Sequence, residues 1–203
     1  MRFKKKTWIY KGLIWSTFTT IIAVPIVAAM CSPLLAWRDP IYIIAGLAGV
    51  IAMALLFVQP VLAGGYLRDL SRLQSRQVHR IIGGILVMMI LIHVIGLWIT
   101  SPPDVIDALL FSSPTPFSVW GVIAMWALFA SALTVLLRHR LRINPRMWRF
   151  IHTGFAVLIV PSSVIHALLI IGTMETTSKR VLCGLVVAVT AKVIVGWWRL
   201  PAR

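Results

Sequence analysis

The sequence has few charged residues and very few acidic ones. Only 12% of its 203 residues are charged, and 5 acidic residues face 20 Lys and Arg, for a formal net charge of +15. A soluble globular domain carries about 25% charged residues, so this shortage excludes most soluble folds. A nucleic-acid-binding protein can be as basic, but its basic residues coat a soluble domain, and the long apolar runs here leave no polar sequence to build one.

Motifs for covalent and nucleotide cofactors are also missing. The chain has 2 cysteines, Cys31 and Cys183, and no Cys-x-x-Cys-His run, which argues against a covalently attached c-type haem. It has no Gly-rich dinucleotide motif either. The sequence therefore predicts no flavin or nicotinamide site within this chain.

Apolar residues make up most of the sequence instead. Hydrophobic residues make up 60% of the chain, and the mean hydropathy is +0.93. A transmembrane helix needs about 20 apolar residues, and breaks rich in Pro, Gly and charge separate six stretches of that length. We expect spans at about 12–32, 41–63, 78–99, 118–137, 150–172 and 181–198. The fold class is an all-α membrane protein, a six-helix transmembrane bundle that forms one domain over residues 1–203, with its first helix retained rather than cleaved as a signal peptide.

The basic residues predict the orientation of this bundle, because Lys and Arg in short loops stay on the cytoplasmic side. They concentrate in alternate connections and at both termini. These are Arg2, Lys4, Lys5, Lys6 and Lys11, then Arg68, Arg72, Arg76 and Arg80, then Arg138, Arg140, Arg142, Arg146 and Arg149, and finally Arg199 and Arg203. Both termini are therefore predicted to be cytoplasmic, in a multi-pass protein of the cell membrane, most simply a bacterial inner membrane.

Four of the five histidines lie inside predicted spans, in two pairs with one spacing. His79 and His93 are on the third span, and His152 and His166 are on the fifth, 14 positions apart in each case. At 3.6 residues per turn, residues 14 apart point nearly the same way and differ by about 21 Å in depth. Because both spans are odd-numbered, they run in the same direction. His79 and His152 should then share an inner level, and His93 and His166 an outer level.

Paired imidazoles in an apolar medium favour haem. A haem iron accepts an axial nitrogen ligand on each face, and an intramembrane histidine is costly unless it is satisfied. The sequence thus predicts two stacked b haems between the third and fifth helices, with His79 and His152 on the inner iron and His93 and His166 on the outer. Two other interpretations are core histidines that are hydrogen-bonded within the bundle, and a zinc or copper site, for which two ligands per level are too few.

Neighbouring residues could complete such sites. Gly83, one turn after His79, would leave room for a macrocycle near the backbone, and Arg80 and Arg149 are suited to pairing with the propionates of the inner haem. For Cys31 and Cys183, both expected near the outer ends of their helices, a disulfide and packing as small apolar side chains remain alternatives.

Taken together, Gln77 to Gly83 with His93, and Trp148 to His152 with His166, resemble the ferric reductase-like transmembrane domain of ferric reductases, NADPH oxidases and their bacterial relatives. The resemblance covers roughly residues 41–198. It implies a six-helix module with two b haems that carries single electrons across the membrane. The donor would be a separate cytoplasmic flavoprotein or membrane quinol, and the acceptor outside would be ferric iron, oxygen or a periplasmic partner.

A competing function needs no redox turnover. The chain could be a haem or metal transporter, or a structural membrane subunit, whose histidines contact haem only in transit. Transporters commonly bind their substrates near the midplane between discontinuous helices, whereas these histidines lie at two separate levels. We therefore expect the membrane haem subunit of an oxidoreductase, with no nucleic-acid partner.

Overall fold

The computed structural model describes residues 2–67 and 69–199, and this part of the chain is helical throughout apart from turns and short connections. Its elements are α1 (Arg2–Met30), a short 3-10 helix (Pro33–Leu35), α2 (Pro40–Ala63), α3 (Arg72–Thr100), α4 (Pro102–Leu109), α5 (Pro116–Leu137), α6 (Pro145–Leu169) and α7 (Thr176–Arg199).

Six helices of the described chain are long and apolar enough to cross a membrane. They lie in α1, α2, α3, α5, α6 and α7, so the prediction of six spans is confirmed, and the chain is a multi-pass membrane protein. The short helix α4 was not expected, because it begins in the Pro-rich segment that the sequence predicted as a break. Proline fits the first turn of a helix, where its missing N–H costs nothing, and α4 uses Pro102 in that way.

Three spans begin with a defined cap, which explains where they start. Asp39 accepts the backbone N–H of Ile41 at the start of α2, and Asn144 accepts that of Met147 at the start of α6. Ser71 and Gln74 form a reciprocal capping box at the start of α3. Such caps satisfy backbone donors that the first helical turn leaves unpaired. With these caps, α3 begins at Arg72 and α6 at Pro145, several residues before the spans predicted to start at 78 and 150.

The bundle is built from two helical hairpins. The helices α2 and α3 pack closely along their length, as do α5 and α6, and α7 packs against both α2 and α6. Buried side chains concentrate on α2, which carries Phe57 and Leu62 into the main core. By contrast α3 and α6 are not among the closely packed helix pairs of the described residues. The space between them is wide enough to hold large side chains from both helices.

Candidate functional site

His79 and His152 meet across the gap between α3 and α6, and we call them the first pair. Their ring centres are 6.1 Å apart, with the ring planes at 75°. Both rings are partly buried. The first pair lies near the starts of both helices, which shows that α3 and α6 run in the same direction, as the sequence predicted.

His93 and His166 form a second pair about four helical turns further along. Their ring centres are 6.5 Å apart, with the planes at 82°. The crossed pairing of His79 with His166, which antiparallel helices would give, does not occur. The structure thus brings the four predicted histidines together in two pairs, stacked roughly 21 Å apart along the helices.

In each ring the Nδ1 atom is the one that is hydrogen-bonded. The Nδ1 atoms of His79, His93 and His166 lie 3.2, 2.7 and 2.8 Å from the backbone carbonyl oxygens of Gln59, Ala45 and Phe117. A carbonyl can only accept, so these three Nδ1 atoms carry the proton and donate it. The hydrogen bonds found in residues 9–67 and 69–197 do not engage the Nε2 atoms of these rings. Three rings therefore have a fixed tautomer with a free acceptor nitrogen.

His152 is supported differently. Its Nδ1 lies 3.4 Å from the hydroxyl oxygen of Ser131, and its ring stacks on the indole of Trp148 at 5.2 Å, with only 18° between the planes. The guanidinium of Arg138 lies over the indole of Trp148, 5.4 Å from the ring centre. Aromatic stacking and a cation–π contact therefore support this ring, together with one long hydrogen bond.

Two glycines make room for the rings of the second pair. A Cβ placed on Gly49 would lie 3.1 Å from ring atoms of His93, and one placed on Gly121 would lie 2.7 Å from ring atoms of His166. Atoms do not approach a Cβ to 2.7 Å without one of them moving, so any larger residue at position 121 would displace the ring of His166. The sequence reasoning missed both glycines, although each follows by four positions the residue whose carbonyl binds the adjacent histidine.

The two hairpins repeat one design. The partners of the second-pair histidines are 48 positions away in the first hairpin and 49 in the second. The partners of the first-pair histidines are 20 and 21 positions away. Ser71 and Asn144 cap the two histidine helices at corresponding places. The partners of the histidines therefore recur at nearly the same spacing in the α2–α3 and α5–α6 hairpins, although the partner of His152 is a side-chain hydroxyl.

The sequence also predicted Arg80, Arg149 and Gly83 as site residues. Arg80 and Arg149 are exposed at the end of the bundle that holds the first pair, and neither takes part in an ion pair with the described residues. Gly83 faces α2, where its added Cβ would meet Nε2 of Gln59 at 3.4 Å. The side-chain amide of Gln59 is buried, and neither of its polar atoms has a hydrogen-bond partner among the described residues. Cys31 is exposed and Cys183 is buried, and both are free thiols.

Residues 45–162 match the profile of the family described as ferric reductase like transmembrane component. The chain belongs to the ferric reductase-like transmembrane family. The match begins in α2 and ends in α6, so that it includes His79, His93 and His152 and stops just before His166. No curated protein and no solved structure matches the chain. Family membership makes the protein a membrane redox module of a type that generally binds haem.

The geometry of the pairs fits a haem iron. With metal–nitrogen bonds of about 2 Å and ring centres about 1.1 Å behind the ligating nitrogens, two imidazoles on opposite sides of one metal have centres roughly 6.2 Å apart, close to the 6.1 and 6.5 Å observed. In residues 2–67 and 69–199 no three His, Cys, Asp or Glu side chains gather as a metal site. Each level offers two protein ligands, which is the number that a porphyrin iron needs.

Proposed function

We propose that this protein is a transmembrane cytochrome with two b haems that carries single electrons across the membrane. The observation that carries the proposal is the geometry of the four histidines, in two pairs of one spacing, with the Nδ1 of every ring hydrogen-bonded. A ligating histidine usually donates its second ring N–H to a carbonyl or carboxylate, which fixes the tautomer and raises the basicity of the ligating nitrogen. Hydrogen bonding alone would also suit core histidines, but it would not place them in two facing pairs with one spacing.

The histidines divide between the two haems by level. His79 and His152 would hold one haem and His93 and His166 the other, while the haem itself supplies an iron that gains and loses one electron reversibly. The residues of the chain orient the rings, through the carbonyls of Ala45, Gln59 and Phe117 and the stack at His152. With two histidines of this chain holding each haem, the haems would supply one-electron transfer.

Charge supports an orientation with both termini in the cytoplasm. The arginines near the first pair are exposed, among them Arg72, Arg76 and Arg146. Asp69, an acidic residue on this side, pairs with Lys11 and accepts a hydrogen bond from Trp15, and these two contacts hold the pKa of its carboxyl below the ordinary value. Asp69 is therefore ionised and balances the charge of Lys11, while the exposed arginines keep their positive charge.

The basic surface suits an acidic electron donor. A separate cytoplasmic flavoprotein could dock there by charge complementarity, and quinol from the membrane is the alternative donor. Arg80 and Arg149 lie at the level of the first pair, where we propose that they bind propionates of its haem. The acceptor on the other side would be ferric iron, oxygen or a periplasmic partner, and the setting would be a bacterial inner membrane.

Haem or metal transport, the competing function, finds less support in the helices. Transporters of the usual design bind their substrate at the midplane between broken helices. Here α3 and α6 are continuous over Arg72–Thr100 and Pro145–Leu169, and the histidines lie at two levels. Reversible redox potentials with tightly held haem would favour the electron carrier, and exchangeable haem below one per chain would favour transport.

The purified protein tests this proposal directly. We expect two b haems per chain and the absorption and electron paramagnetic resonance spectra of low-spin iron with two histidine ligands. His93→Ala should remove one haem and leave the other, and His139→Ala, which changes an exposed loop histidine, should remove neither. A protein that stays colourless after haem supplementation, or a wild-type spectrum with one haem, would refute the assignment.

A further inference from the structure

A cavity opens at the end of the bundle where α6 stops and α7 begins. Its volume is about 670 Å³, and it lies between the end of α1 and the α6–α7 connection. Cys31 and Ser32 border it from the α1 side, and Thr173, Lys179 and Arg180 from the other. Because α6 ends at Leu169 and α7 begins at Thr176, the cavity lies at the ends of these two spans, where we expect them to leave the hydrocarbon layer.

Lys179 gives this cavity an unbalanced positive charge. The residue is only 7% exposed, and its Nζ donates to the backbone carbonyl of Ile170 at 2.7 Å. An ammonium group has three N–H donors, and a buried charge is costly unless it is paired with an opposite charge. A neutral carbonyl satisfies one donor and none of the charge.

Glu175, which lines the cavity, already accepts hydrogen bonds through both of its carboxylate oxygens. The two oxygens of Glu175 accept the backbone N–H groups of Thr177 and Ser178, each at 2.6 Å. Hydrogen bonds from Ser178 and Thr177 lower the pKa of Glu175 to about 2, which keeps it ionised while it caps α7. Within residues 9–67 and 69–197, Lys11 and Asp69 form an ion pair, and Glu175 and Lys179 do not. Lys179 and Arg180 together therefore leave a net positive charge in the cavity.

An apolar groove continues from the cavity along the membrane span. Leu168 and Arg180 line both spaces, so the groove starts where the polar cavity ends. It has a volume of about 390 Å³ and runs between α6 and α7 past Val164, Cys183 and Val187. From Arg180 to Ala188 it covers roughly 12 Å of helix at 1.5 Å per residue. A polar head at the interface and an apolar tail in the groove would fill both spaces.

We propose that this cavity and groove form a binding site for an anionic phospholipid, with its phosphate on Lys179 and Arg180 and one acyl chain in the groove. The charge of the cavity selects a phosphate over a neutral head, and the depth of the groove within the span selects a lipid over a soluble anion. Ser32 and Thr173 offer hydroxyl donors to the same head group. The lipid joins the end of α1 to the α6–α7 connection, on the side of the bundle that holds the second pair. The proposal does not depend on haem.

Native mass spectrometry of the full chain, released from micelles with defined lipids, tests the site. We expect the wild-type protein to retain phosphatidylglycerol at least tenfold more strongly than phosphatidylcholine with the same acyl chains. Lys179→Gln should abolish this preference. Lys192→Gln is the matched control, because Lys192 lies over the ring of Tyr66 at 4.8 Å and outside the cavity, and it should retain the lipid like the wild type. Circular dichroism of each variant shows whether the helices remain.

Two further experiments distinguish binding of the whole lipid from binding of its phosphate alone, and the first remains informative if Lys179→Gln misfolds. Leu168→Trp should fill the groove and weaken phosphatidylglycerol retention while Lys179 stays in place. Glycerol phosphate or inorganic phosphate in large excess should displace little of the lipid, because neither has a tail. Equal retention of the two lipids, complete displacement by inorganic phosphate, or the same loss in Lys192→Gln would each overturn the proposal. If Lys179→Gln does not fold, weakened phosphatidylglycerol retention in Leu168→Trp supports the proposal and unchanged retention overturns it.

Discussion

The two histidine pairs share one spacing but differ in how their rings are held. In the second pair both Nδ1 atoms are within 2.8 Å of a backbone carbonyl, and both rings lie beside a glycine. In the first pair the corresponding distances are 3.2 and 3.4 Å, and one partner is a side-chain hydroxyl. Backbone carbonyls of a packed helix cannot rotate away, whereas a serine side chain can change rotamer. The second pair is therefore the more rigid of the two.

Charge separates the pairs as well. The first pair is connected to a cation through the Arg138–Trp148–His152 stack, while His166 of the second pair meets the ring of Phe117 edge-on at 5.9 Å. A positive charge near a redox iron favours its reduced state, since the reduced iron carries one positive charge fewer. Under the proposed function the first haem would have the more adjustable potential, and the second haem the more strictly fixed geometry.

The largest expected effect comes from closing the space beside His166. In Gly121→Ala the new Cβ would be 2.7 Å from the ring, so the ring must leave its position, and overpacking of this kind costs about 1–3 kcal/mol. We expect the second haem to be lost or to become high-spin while the first is unchanged, as measured by haem content and electron paramagnetic resonance.

A glycine series provides the controls for this prediction. Gly49→Ala should have a smaller effect, because its Cβ would be 3.1 Å from the ring of His93. Gly196→Ala, in α7 with no atom within 4 Å of the added Cβ, should leave both haems intact. If Gly121→Ala changed only the haem that His93→Ala leaves in place, the proposed pairing of His93 with His166 on one haem would be wrong.

The next effect concerns the stack at the first pair. Trp148→Leu removes an aromatic contact worth about 0.5–1.5 kcal/mol and separates Arg138 from His152. Arg138→Gln removes only the charge, and it should lower the potential of the first haem by roughly 20–60 mV, since a tenfold change in a one-electron equilibrium is about 59 mV. A redox titration that resolves the two haems measures this shift.

Two comparisons keep the stacking prediction specific. Trp148→Phe retains an aromatic face and should stay closer to the wild type than Trp148→Leu. Phe117→Leu changes the aromatic neighbour of His166 and should shift the second potential only. If Arg138→Gln moved both potentials by equal amounts, the stack would have no particular connection with the first pair.

Much of this arrangement followed from spacing alone. Six apolar stretches and the loop charges predicted the spans, and a constant separation of 14 positions on two parallel helices predicted which histidines would meet. These features depend on helical periodicity and length, which are properties of each segment by itself. The family match then agreed with the resemblance seen in the two histidine helices.

The supports of the histidines could not be predicted in the same way. The contact of Gln59 with His79 depends on how α2 rotates against α3, and the stack of Trp148 on His152 depends on side-chain rotamers. Gly83 illustrates the limit, because its packing against Gln59 could not be read from the sequence, and its role in making room for a macrocycle stays a prediction. Glycines at matched places on α2 and α5 were the one signal that could have indicated the ring positions of the second pair.

The smallest effect tests the long hydrogen bond of the first pair. If Nε2 of His152 ligates iron, its Nδ1 carries the proton and donates to the hydroxyl of Ser131, at 3.4 Å. Ser131→Ala removes the acceptor, which lowers the basicity of the imidazole and disfavours the oxidised iron. We expect the first potential to rise by about 10–20 mV, which corresponds to less than a threefold change in a one-electron equilibrium. Ser131→Thr keeps the hydroxyl and should restore the wild-type value. A fall in the first potential, or a shift confined to the second, would mean that Ser131 does not act on the ligand through this bond.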